Sequence, residues 1–77
     1  MKDLEIDEAI LAVSRNRDAK VAMIIAKAAD ALGGDFLSGG EHLQIIFRRI
    51  EALVANGKLI ARGDIADWRH SEIRRVG

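Results

Sequence analysis

The stretch that most restricts what this chain can fold into is residues 41–77. Leu43, Ile46, Phe47, Ile50, Leu53 and Val54 recur at the spacing that puts them on one side of an α-helix, with Gln44, Arg48, Arg49, Glu51 and Ala55 elsewhere. Asn56-Gly57 ends that helix, because glycine takes the left-handed C-terminal conformation without a Cβ clash. The remainder, KLIARGDIADWRHSEIRRVG, holds two short strand-like runs, Leu59-Ile60-Ala61 and Ser71-Glu72-Ile73-Arg74, joined by residues 63–70. A long apolar-striped helix, a glycine stop and two strands is the outline of a winged helix-turn-helix.

The first half supplies two further helices. Ile6-Asp7-Glu8-Ala9-Ile10-Leu11 reads as a helix start: Asp7 caps free backbone N–H groups, and Glu8 suits the positive end of the helix dipole. Ile6 and Leu11 have hydrophobic-staple spacing about that cap, and Ile10, Val13 and Leu11 form the inward face. The helix should fray over residues 14–16. Asp18 is the expected cap of the next helix, whose Val21, Ile24, Ile25, Ala28 and Leu32 face the core and which Gly33-Gly34 ends. In the glycine-rich connection that follows, Phe36 or Leu37 should tuck into the core, and Ser38-x-x-Glu41 has capping-box spacing for the third helix. These elements predict one α+β domain spanning residues 1–77: a three-helix, winged-helix-like unit with a C-terminal β-hairpin.

Composition excludes more functions than it suggests. A chain of 77 residues buries a modest share of its surface and has little room for a catalytic cleft with a positioned base and orienter. It contains no cysteine, so disulfides and cysteine-based zinc sites are ruled out. The acidic start MKDLEIDEAI lacks the apolar core of a signal peptide, and no apolar run is long enough to span a membrane. The expectation is a cytoplasmic chain without membrane partner or cofactor. His42 and His70 are the only histidines, too few for a metal site here. Neither Ser14, Ser38 nor Ser71 sits in a nucleophile elbow, so no enzyme activity is expected. Arg62-Gly63-Asp64 reads as a tight turn after a strand.

Twelve basic and twelve acidic residues cancel over the whole chain. Residues 1–40 carry five basic and seven acidic side chains, and residues 41–77 seven and five. The candidate binding surface is therefore on the third helix and the wing: Arg48, Arg49, Arg62, Trp68, Arg69, Glu72, Arg74 and Arg75. In a helix-turn-helix such a helix enters the major groove of DNA, and the wing's arginines would touch phosphate. Against this, Glu51, Asp64, Asp67 and Glu72 are interleaved with those arginines, and phosphate-backbone affinity needs clear positive charge. Trp68 serves either as cover for the core edge or as an exposed anchor, and partial burial is expected.

The segments Ile50-x-x-Leu53-Val54-x-x-Gly57-x-Leu59, Ala61-Arg62-Gly63-Asp64-Ile65 and Trp68-Arg69-His70-Ser71-Glu72-Ile73-Arg74 resemble a small bacterial domain of unknown function. That domain occurs alone or after a larger uncharacterised one. Asp7-x-x-Ile10-Leu11, Lys20-Val21-Ala22 and Arg49-Ile50 fit the same pattern. Ala19 departs from it, standing where a large aromatic residue is expected. The resemblance implies a winged-helix-like fold and supplies no catalytic residues. It directs attention to Arg49, Gly63, Asp64, Arg69, Ser71, Glu72 and Arg74. In a structural account Asp64 bonds the turn after Gly63, while Arg49 or Arg69 pairs with Asp64 or Glu72. In a binding account the cluster faces a partner. The resulting expectation is a non-catalytic interaction or accessory module, regulatory in character, with an unknown protein partner. Weak duplex DNA binding is the second reading, and the oligomeric state stays open.

Overall fold

The computed structural model describes residues 3–33 and 42–76. The order of elements is α1 (Asp3–Val13), β1 (Ala19–Lys20), α2 (Val21–Leu32), α3 (His42–Ala55), β2 (Leu59–Arg62) and β3 (Glu72–Arg75). The fold is α+β, three helices against an antiparallel sheet with strand order β1-β3-β2. It is the expected three-helix domain with a C-terminal β-hairpin, with one strand more than the sequence outline contained. Ala19, Ile73 and Ala61 lie side by side across the sheet and face the helices, whereas Lys20, Glu72 and Arg62 form a row on the opposite face.

The core joins every element except β1, whose Ala19 packs on its edge. Ile6 and Ile10 come from α1, Val21, Ile24, Ile25, Ala28 and Ala29 from α2, Ile46, Ile50 and Leu53 from α3, with Leu59 and Ile73 from the hairpin. Phe47, Val54, Ile65 and Trp68 close it from the wing side. Leu43, included in the expected α3 stripe, stands at the edge and is 38% exposed.

Helix ends differ from expectation in two places. Asp7 is not an N-cap: α1 begins a turn earlier, with Asp3 and Glu5 in its first turn, because Ile6 and Ile10 must both lie on the buried face. Asp18 is not the cap of α2 either. Residues 19–20 are extended and paired with β3, and the first N–H groups of α2 find backbone partners instead. Val21 N–H donates to the Ser71 carbonyl at 3.1 Å and Ala22 N–H to the Trp68 carbonyl at 3.2 Å. The glycine stops hold. Gly33 has φ +94° and Gly57 φ +77°. At the latter, Gly57 N–H donates to Val54 and Lys58 N–H to Leu53, the Schellman pattern. Phe36, Leu37 and the Ser38–Glu41 capping box lie outside the described residues.

Candidate interaction surface

Arg49 sits on the side of α3 that faces α1. Its Nε donates to Asp7 Oδ1 and its Nη2 to Asp7 Oδ2, both at 2.8 Å, while Nη1 reaches Asp3 Oδ2 at 3.4 Å. This fork-to-fork pairing is the strongest geometry open to a guanidinium. The hydrogen bond to Asp7 is the chief reason the Arg49 pKa is raised, with partial burial working the other way. The carboxylate partner is thus Asp7, and neither Asp64 nor Glu72. Two residues far apart in sequence clamp α1 to α3, which also accounts for Asp7 lying mid-helix.

Arg62, at the end of β2, makes a second such link. Its Nη1 donates to Asp18 Oδ2 at 2.8 Å, tying the wing to the segment that leads into β1. That hydrogen bond, and then the charges of Asp18 and Glu72, raise the Arg62 pKa. Glu72 lies between Lys20 and Arg62 across the sheet, so the outer row alternates in sign.

The connection from Gly63 to Ser71 is folded back on itself. Gly63 has φ +83°, a conformation that L side chains rarely adopt. Asp64 Oδ1 then accepts the Ala66 N–H at 3.0 Å, and the Asp64 carbonyl accepts the Asp67 N–H at 2.9 Å. Ser71 is buried, and its hydroxyl donates to the Asp67 carbonyl at 2.7 Å. Trp68 is partly buried against Phe47, with ring centroids 5.4 Å apart at a 43° tilt. The Gly-Asp, Trp and Ser positions of this segment therefore shape a compact wing that also caps α2. Asp64 bonds its turn in the expected way. His70 is exposed, with Nδ1 3.0 Å from both carboxylate oxygens of Asp67.

No protein-family model, curated protein or solved structure matches this chain.

Of the eight candidate residues, the structure does not gather all into one free surface. Arg48, Arg69 and Arg74 are exposed and form no ion pair among the described residues. Arg48 shares the outward side of α3 with Gln44, Ile45, Glu51 and Ala55, a face of mixed character. Arg75 turns away from the wing: its Nη1 donates to the Leu11 carbonyl at 3.2 Å and its backbone N–H to the Arg15 carbonyl at 2.7 Å. Sequence reasoning overlooked the neighbourhood this creates, in which Arg75 meets Arg15, Asn16 and Arg17. The run Arg15-Asn16-Arg17 was the available signal, but only the position of β3 gives it a third arginine. Ser14, also buried, uses its hydroxyl on the Ile10 carbonyl at 2.6 Å. Among the described residues no group of three or more histidine, aspartate and glutamate side chains could hold a metal ion, and no helix is long and apolar enough to cross a membrane.

Proposed function

We propose that this chain is a non-catalytic interaction or accessory module, regulatory in character, that engages a protein partner through the outer side of α3 and the adjoining wing. The observation that carries this reading is the internal use of Arg49 and Arg62. Their guanidinium groups are held by Asp7 and Asp18, so two of the cations that a groove-reading surface would aim at phosphate are occupied in holding elements together. What remains on α3 is a mixed face with Ile45 more than a third exposed beside Arg48 and Glu51, the kind of composition that protein contacts use.

The second reading is a weak duplex-DNA binder, favoured by the order of α3 and wing and by exposed Arg48, Arg69 and Arg74. An isotope-edited NMR titration of the whole chain with duplex DNA separates the two. The expected outcome is no duplex binding tighter than about 100 μM at physiological salt, the weak end of non-specific affinity. A subsequent titration with cell extract should broaden α3 amides around Ile45 and Arg48. Sub-micromolar duplex binding that weakens steeply with salt, and less steeply in Arg48→Ala with Arg74→Ala, would replace the protein-partner reading by the DNA one.

A further inference from the structure

Beyond the α3 face, we infer that the corner formed by Arg15, Asn16, Arg17 and Arg75 is a binding site for a small phosphoryl-bearing ligand, a phosphate or diphosphate group. The corner lies between the C-terminal end of α1 and the end of β3, opposite in character to the wing. It is an open depression of about 270 Å³ lined by Ser14, Arg15, Asn16, Arg17 and Arg75, with no carboxylate in its lining. Three arginines thus line one depression in a chain whose formal charge is zero.

Several observations make this more than scattered surface charge. The backbone is stitched at the site, because the Arg75 N–H donates to the Arg15 carbonyl at 2.7 Å. Arg75 is oriented by its Nη1 bond to the Leu11 carbonyl, which also answers the negative end of the α1 dipole with a cation. Asp18, the acid nearest in sequence to Arg17, is taken up by Arg62 at 2.8 Å. The Ser14 hydroxyl is spent on the Ile10 carbonyl, so the donors left for a ligand are guanidinium N–H groups and the Asn16 amide. Guanidinium forks match oxyanions in plane and spacing. A tetrahedral phosphoryl group offers enough oxygens and charge to satisfy three of them together, where a carboxylate offers two oxygens and one charge.

The test uses the whole isotope-labelled chain and sodium pyrophosphate, with sodium chloride at matched ionic strength as the reference. Saturable shifts should concentrate at the amides of residues 14–17 and 75–76. Arg15→Gln with Arg17→Gln should weaken binding at least about tenfold, the effect of losing one charge-assisted hydrogen bond. Melting temperature should be unchanged, and Arg48→Gln should leave the affinity as it was. If the double variant is poorly folded, Arg17→Gln alone carries the same comparison. The assignment is overturned if chloride reproduces the shifts, if they spread equally to Arg48, Arg69 and Arg74, or if binding survives loss of both arginines. Tighter engagement of this corner by duplex DNA than by pyrophosphate would also overturn it, by giving the phosphate to a nucleic acid.

Discussion

The wing side and the α1–β3 corner both carry several arginines, yet they differ in what surrounds them. At the α1–α3 seam and in the wing, Arg49 and Arg62 meet Asp7 and Asp18 at 2.8 Å, and Glu72 stands between Lys20 and Arg62. At the corner, Arg15, Arg17 and Arg75 gather without an acid in the lining. An arginine count is therefore a poor guide to a binding surface. The useful question is whether the fold delivers a carboxylate to each guanidinium. Here it does so where the arginines hold helix to helix and wing to strand, and does not where the chain turns between α1 and β1.

The core beneath both regions sets the largest effect. Leu53→Ala or Ile50→Ala should cost ~2–5 kcal/mol, since each removes a fully buried aliphatic side chain that cannot be replaced by collapse of its neighbours. Chemical denaturation should show a lower midpoint with the corner and the wing lost together. Separate transitions would show that the two regions do not share one core.

Next comes the wing turn. Gly63→Val should destabilise by about 1–2 kcal/mol or more, the cost of a left-handed backbone with a branched side chain. An added Cβ would meet Ser71 no closer than 3.7 Å, so the cost is backbone strain rather than collision. A melting curve identical to that of the parent would contradict this account of the turn. A smaller change, about 1 kcal/mol, is expected for Phe47→Leu, which removes the ring contact with Trp68. Trp68 is the only tryptophan, so its emission should be blue-shifted in the native chain and move toward the red in this variant.

The ion pairs give the sharpest contrast for the least energy. Asp7→Asn should lower the melting temperature, and a double-mutant cycle with Arg49→Met should show positive coupling. Arg15→Gln with Arg17→Gln should leave the melting temperature level or slightly higher, since it relieves repulsion without breaking an ion pair. Equal losses in the two experiments would erase the distinction between the regions. The pKa of both Arg49 and Arg62 is raised, so their stabilisation is fully present below the unfolded-state value and is lost only as pH rises through the folded one. These guanidinium groups should contribute no slope to stability around neutral pH.

The order of amino acids alone determines the three helical stripes, the glycine stops at Gly33 and Gly57, the tight turn at Gly63 and the hairpin, because each rests on periodicity or local backbone preference. It also shows that charge is balanced. It does not reveal β1, since residues 19–20 carry no pattern of their own and become a strand only by pairing with β3. Nor does it show that α2 is capped by carbonyl groups of the wing, which frees Asp18 for Arg62. The clamp of Arg49 on Asp7 spans 42 positions, and Arg75 reaches Leu11 across 64. Such pairings have no local signature. They arise when burial of Ile6, Ile10, Ile46 and Ile50 brings α1 against α3, and when β3 passes the end of α1. Tertiary packing thus decided which arginines are spent on the fold and which face solvent.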